Sequence, residues 1–216
     1  MRYQNIIWDM DGTLLDTLAD VLESVNQTMR VFSLPERTRE DVRNFVGNGI
    51  VRFVELCVPG GRQHPQFDEI TAFFSDHYAK NSRNKTKPYD GLNELLRKCV
   101  NSGVRIGIVS NKGDDIVKEL SELYFHGLIR VAIGELPGRR MKPEPDAVFE
   151  AMLELGANQQ DTVYIGDSEV DVATAKNAGL DCIAVDWGFR DTDVLIKAGA
   201  DVILHTPNEL CAYLLG

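Results

Sequence analysis

Short apolar, β-branched runs recur along the chain, each closing on small or polar residues. They are Asn5 to Trp8, Val104 to Val109, Arg130 to Ile133, Thr162 to Ile165, Cys182 to Val185 and Asp201 to Leu204. Stretches with helical spacing separate most of them. That alternation predicts βαβ units around a mostly parallel sheet, an α/β fold. Runs apolar on both faces suit strands covered by helices on both sides.

The interval between the first and second runs is the anomaly. It spans far more chain than one crossover helix requires. Within it Leu18, Val21, Leu22, Val25, Met29 and Phe32 share one helical face. Thr17 stands where it would cap that helix, with Asp20 three residues on, and Thr38 with Asp41 marks a second start. Phe67, Ile70, Phe73, Phe74 and Tyr78 predict a further helix. Residues 16–87 therefore read as an inserted helical domain, and 1–15 with 88–216 as the core. Hinge segments are expected near Leu15-Asp16-Thr17 and Lys85 to Tyr89.

The 216 residues, 44% hydrophobic and 26% charged, suit a soluble core with an insertion. A formal net charge of −10 argues against nucleic acid as the main partner. A small anionic substrate remains compatible, because a bound divalent cation inverts the local field. Cys57, Cys99, Cys182 and Cys211 form no CxxC pair, so reduced thiols in a cytoplasmic protein are expected. Neither a signal peptide nor a membrane span is visible. A monomer or homodimer is expected.

Four segments carry candidate chemistry. Asp9-Met10-Asp11-Gly12-Thr13 follows the first strand, where a parallel sheet places its ligands. Adjacent carboxylates repel, so one holds its proton more readily. That suits one nucleophile and one general acid, with a divalent cation balancing the charge. Alone, the pair would serve equally well as a strand-ending turn. Gly12 would let the backbone approach an anion. Ser110 and Asn111 end the second run, where a hydroxyl and a helix N-terminus would hold phosphate. Lys142 sits in a turn stiffened by Pro143 and Pro145. Asp167 ends the fourth run, and Asp171 lies one helical turn further. Hard oxygen ligands of this kind suit Mg²⁺.

As an ordered set these segments resemble the haloacid dehalogenase superfamily: DMDGT at Asp9, VSN at Ser110, KPEP at Lys142 and GDSEVD at Asp167. The resemblance covers the chain in outline. The insertion is similar to the helical cap of the phosphoglycolate phosphatase and β-phosphoglucomutase branch. It implies a Rossmann-like core, Mg²⁺ as cofactor and a small phosphorylated metabolite as substrate. By the same resemblance, Asp9 would be the nucleophile and a metal ligand. Asp11 would be the general acid and base, offering its carbonyl to the metal, and Asp167 would ligate it. Asp171 would orient Lys142 or a metal-bound water. Ser110 and Lys142 would hold the phosphoryl group, helped by N–H groups of Asp11, Gly12 and Asn111. Family members that attack carbon lack the second aspartate, so dehalogenation is not expected. Phosphonate hydrolases of the family use a cap lysine, and no lysine precedes Lys80 here.

Substrate choice is expected to reside in the cap. Phe45 to Arg52 resembles the cap loop of phosphoglycolate phosphatases, with Asn48 or Arg52 reaching for a small carboxylate. A plain helix–helix turn with Arg52 in solvent is the alternative. Trp187-Gly188-Phe189-Arg190 also resembles that branch, Trp187 either packing or touching substrate. The leading expectation is a phosphomonoesterase, with 2-phosphoglycolate the first candidate. A phosphosugar mutase and a non-catalytic phospho-acceptor module are the alternatives.

Overall fold

A computed structural model describes residues 2–216. In chain order the strands are β1 (Asn5–Trp8), β2 (Leu15–Asp16), β3 (Lys87–Pro88), β4 (Arg105–Gly113), β5 (Val131–Glu135), β6 (Thr162–Gly166), β7 (Asp181–Val185) and β8 (Val202–Leu204). The helices are α1 (Leu18–Val31), α2 (Arg39–Phe45), α3 (Gly49–Cys57), α4 (Phe67–Asn81), α5 (Leu92–Asn101), α6 (Asp114–Phe125), α7 (Asp146–Leu155), α8 (Glu169–Ala178), α9 (Thr192–Ala198) and α10 (Pro207–Leu215). Six strands form one sheet in the order β5-β4-β1-β6-β7-β8, every pair parallel. The chain builds outward from β1 through β4 and β5, then returns to β1's other side with β6. That reversal is a topological switch point, and the carboxyl end of β1 opens onto it.

Alternation along each strand divides the core between two faces. Ile6 and Trp8 pack with Ile106, Ile108, Val163 and Ile165 in the cluster that holds Leu92 and Leu96 of α5. Ile7, Val109 and Tyr164 join the cluster built on α7, with Val148, Ala151 and Leu155. Both faces are apolar because both are covered, as the unbroken hydrophobic runs require.

β4 runs further than the sequence pattern suggests. Its register with β5 shifts between Val109 and Gly113, and α6 starts only at Asp114. Close approach by β5 makes this possible. A Cβ on Gly134 would stand 2.5 Å from Asp114 Cα and 2.6 Å from the Lys112 carbonyl oxygen. The Gly134 N–H also donates to Asp114 Oδ1 at 2.9 Å. Ser110, Asn111 and Lys112 therefore lie in extended chain, not at the helix N-terminus expected for Ser110.

Helices α1 to α4 pack on one another above the carboxyl ends of the strands. α1 buries Leu18, Val21, Val25 and Met29, the apolar face read from the sequence. Phe74 of α4 sits 5.2 Å from Phe53 and 5.8 Å from Tyr78, measured between ring centroids. Thr38 and Asp41 form a reciprocal cap at the start of α2. The chain leaves for this layer at β2 and returns at β3, and the two pair antiparallel, Leu15 with Pro88 and Asp16 with Lys87. Buried Asp20 clamps the return by accepting from the N–H groups of Lys85 and Thr86 and from the Thr86 hydroxyl. Among the described residues, no helix is long and apolar enough to cross a membrane. All four cysteines are free thiols.

Candidate active site

Asp9 follows the last residue of β1, and its N–H donates to the Ile165 carbonyl of β6 at 2.8 Å. This ties the start of the Asp9–Thr13 loop to the neighbouring strand end. Lys142 Nζ donates to Asp9 Oδ1 at 2.7 Å, to Asp171 Oδ1 at 2.8 Å and to the Tyr164 hydroxyl at 3.1 Å. Asp171 is held from its other side by the Ser168 N–H and hydroxyl, the reciprocal cap of α8. Asp171 thus fixes Lys142 over Asp9, and Lys142 is only 6% exposed.

Asp167 is buried at the end of β6. Its Oδ1 accepts from the Thr13 hydroxyl at 2.9 Å and its Oδ2 from the Phe189 N–H at 2.6 Å. Glycine is required beside it. A Cβ on Gly12, whose φ is +84°, or on Gly188 would stand 2.3 Å from Asp167 Oδ2. Carboxylate oxygens of Asp9, Asp167 and Asp171 lie within 4.8 Å of one another.

Burial raises the pKa of Asp9 well above the usual carboxylate range, Lys142 pulls it back, and Asp171 and Asp167 push it up again. Burial and the Asp171 charge push Asp167 up to about 7. Three buried carboxylates face one lysine, so the pocket has an excess of negative charge. Its free lone pairs belong to hard oxygen atoms, and the set fits a divalent cation of the Mg²⁺ type.

Asp11 is placed by different partners. Its Oδ1 accepts from the Thr17 hydroxyl at 2.6 Å and lies 3.0 Å from Lys112 Nζ. The Lys112 ammonium also donates to the Tyr78 hydroxyl of α4. Thr17 does not cap α1 with its side chain, because that hydroxyl is turned to Asp11. Asp9, Asp11, Ser110, Asn111, Lys142 and Asp167 all line one cavity between the sheet and the helical layer.

The profile of the haloacid dehalogenase-like hydrolases matches residues 6–185, most of the chain and all of these loops. The chain belongs to the haloacid dehalogenase-like hydrolase family. Phosphoglycolate phosphatase of Pseudomonas putida is 31% identical over 191 residues, covering 86% of this chain and 70% of that protein. N-acetylmuramic acid 6-phosphate phosphatase of Pseudomonas aeruginosa is 31% identical over 213 residues, covering 97% of this chain and 94% of that protein. A Lactobacillus delbrueckii subsp. bulgaricus protein, provisionally termed a phosphoglycolate phosphatase, superposes with a TM-score of 0.95 at 36% identity, covering 100% of both chains. The chain is accordingly a phosphatase of this hydrolase family.

Several residues of this haloacid dehalogenase-like hydrolase stand elsewhere than their sequence context suggests. The Gly12 N–H donates to the Leu15 carbonyl at 2.9 Å, closing its own turn, so it is not free for an anion. The Asn111 side chain is a strut. It accepts from the Lys142 N–H at 2.8 Å and donates to the carbonyls of Lys142 and Gly47. Asn48 heads α3 without a side-chain cap, and Gly47 and Gly49 beside it line the cavity while Asn48 does not. Arg52 also lies outside the cavity, half exposed and paired with Glu55 at 2.9 Å. Neither Asn48 nor Arg52, the expected cap contacts, therefore lines the cavity in this structure. Trp187 packs, its indole N–H donating to the Thr13 carbonyl at 3.0 Å.

Three residues given no role in the site by the sequence matter here: Thr17, Lys112 and Arg190. Arg190 is buried and bonds Glu169 at 2.8 Å, the Arg43 carbonyl at 2.7 Å and the Val46 carbonyl at 2.9 Å.

Proposed function

We propose that the protein is a Mg²⁺-dependent phosphomonoesterase for small phosphometabolites, working through an aspartyl-phosphate on Asp9. 2-Phosphoglycolate is the first candidate substrate. The observation that carries this reading is the division of labour between two aspartates two residues apart. Asp9 is fixed by a buried lysine suited to phosphoryl oxygens, and Asp11 by a hydroxyl and a second lysine on the cavity's other side.

Asp9 attacks phosphorus in line, and the bond to the ester oxygen breaks. Lys142 holds charge on the equatorial oxygens while Asp11 gives its proton to the leaving oxygen. Asp11 then takes a proton from the water that attacks the aspartyl-phosphate, which frees phosphate and Asp9. The Asp9 and Asp167 side chains, with the Asp11 carbonyl, would hold Mg²⁺. When bound, the ion supplies positive charge that offsets the carboxylates and the transferring group.

In this reading residues 16–87 act as a cap over a core of 1–15 and 88–216. The relatives are named for different phosphoesters, so their names leave substrate choice to the cap. The decisive measurement is initial rates across a phosphometabolite panel, with Mg²⁺ and with EDTA. A Mg²⁺-dependent release of phosphate without a bisphosphate activator is expected, which a mutase would not give. Asp9→Asn should lose at least a thousandfold in kcat while keeping its circular dichroism spectrum. Full activity in that variant, or undiminished rates in EDTA, would refute the mechanism.

A further inference from the structure

Three cationic side chains line the cavity, and two are each held by three or more partners. Lys142 gives its donors to Asp9, Asp171 and Tyr164. Arg190 gives its own to Glu169 and to backbone carbonyls. Lys112 differs. Its ammonium meets Asp11 Oδ1 at 3.0 Å and the Tyr78 hydroxyl, and it sits 4.4 Å from the Tyr78 ring centroid. A lysine ammonium has three N–H donors. Two are accounted for, and the third has no partner among the described residues of the cavity that Lys112 lines.

The surroundings keep that charge strong. Lys112 is 6% exposed, and the wall beside it is apolar, formed by Val21, Ile50, Phe53 and Phe74. In such a setting a charge-assisted hydrogen bond is stronger than at an exposed surface.

Position then selects a ligand. If Asp11 protonates the ester oxygen, as the phosphomonoesterase reading requires, that oxygen lies beside Asp11. A carboxylate one carbon beyond the ester oxygen lies within about 4 Å of it, from standard bond lengths. A cation 3.0 Å from Asp11 on the wall of the same cavity meets that carboxylate when it lies on the Lys112 side of the ester oxygen. Arg52 does not, since it stands outside the cavity and pairs with Glu55.

We infer that Lys112 is the specificity-determining residue of this cavity. Its free N–H binds a carboxylate one carbon from the ester oxygen, so the substrate class is the phosphorylated 2-hydroxy acids. Tyr78 of α4 positions Lys112 for this, so the carboxylate is read where the helical layer meets the sheet.

The test compares kcat/KM for 2-phosphoglycolate and for 2-hydroxyethyl phosphate, the same skeleton without the carboxylate, in wild type, Lys112→Met and Lys112→Arg. Wild type should favour 2-phosphoglycolate by tenfold or more. Lys112→Met should lower that ratio at least tenfold, mainly through KM, and Lys112→Arg should retain part of it. A wild-type ratio near one overturns the inference even if the variants fail to fold. So does an equal loss on both substrates, which would mark Lys112 as a support for Asp11 alone. Turnover of p-nitrophenyl phosphate without carboxylate preference sinks this inference and leaves the phosphatase reading standing. No turnover of any ester removes both.

Discussion

Asp167 titrates near neutral pH in the metal-free protein, because burial and Asp171 outweigh the Phe189 N–H and the Thr13 hydroxyl. Its folded pKa, about 7, lies above the unfolded value of 3.8. The folded state therefore binds the extra proton between these values. The stability linked to that proton is present at acid pH and is lost as pH rises through about 7. Asp167→Asn removes the titration, and the Thr13 hydroxyl can reverse to accept from the new amide. Metal-free Asp167→Asn should melt several degrees above metal-free wild type at pH 8, and the gap should narrow steadily as pH falls towards 4. Differential scanning calorimetry in EDTA checks this, and a lower melting point at pH 8 would contradict it. Mg²⁺ binding must displace the same proton, so apparent affinity should fall about tenfold per unit below pH 7. Titration calorimetry at several pH values would show it. At this scale the acidic residues were legible, because carboxylates at strand ends are visible in a linear sequence. Thr17 and Lys112 were not. A threonine before a helix reads as a cap, and a lysine after Ser110 and Asn111 reads as surface, until Asp11 is placed beside both.

Arg190 shows how elements are joined. α2 ends at Phe45, and the carbonyls near its end lack helical partners. The guanidinium in the β7–α9 connection meets the Arg43 and Val46 carbonyls, where positive charge also complements the helix dipole. Beside it, Arg43 pairs with Asp191 at 2.6 Å. Asn111 adds a bond to the Gly47 carbonyl at 3.0 Å. Together these latch the end of α2 and the Gly47 turn onto the sheet. Arg190→Met should raise KM about tenfold, the order expected when charged hydrogen bonds at a buried contact are lost, with a smaller change in kcat. Steady-state kinetics test this, and an equal fall in kcat would place Arg190 in the chemistry instead. The α1 pattern and the α2 cap signal were read correctly because both are local. The extent of β4 was not, because it depends on the room that Gly134 of β5 leaves for residues 112–114.

Across the whole molecule, the helical layer is tied to the sheet by one two-residue ladder, the Asp20 clamp and the Arg190 latch. The ladder and clamp sit where the chain crosses, and the latch lies at the far side of the cavity. Opening about the ladder would break the latch and the Lys112–Tyr78 contact and part the apolar cluster that the helical layer shares with the sheet. Small-angle scattering should therefore show a smaller radius of gyration when Mg²⁺ and a phosphate mimic are added. The ligand-free Arg190→Met variant should be more extended than wild type. Identical scattering in every state would rule out a moving cap. The sequence by itself determined the layered α/β plan, the helical insertion and the four motifs at strand ends or in the turns beyond them. Those features rest on periodicity and on neighbours close in the chain. Only the tertiary structure decided which side chains meet Asp11 and that Arg52 stands outside the cavity. Residues 11, 78 and 112 come together through two long loop closures, and no local pattern encodes where such closures bring side chains.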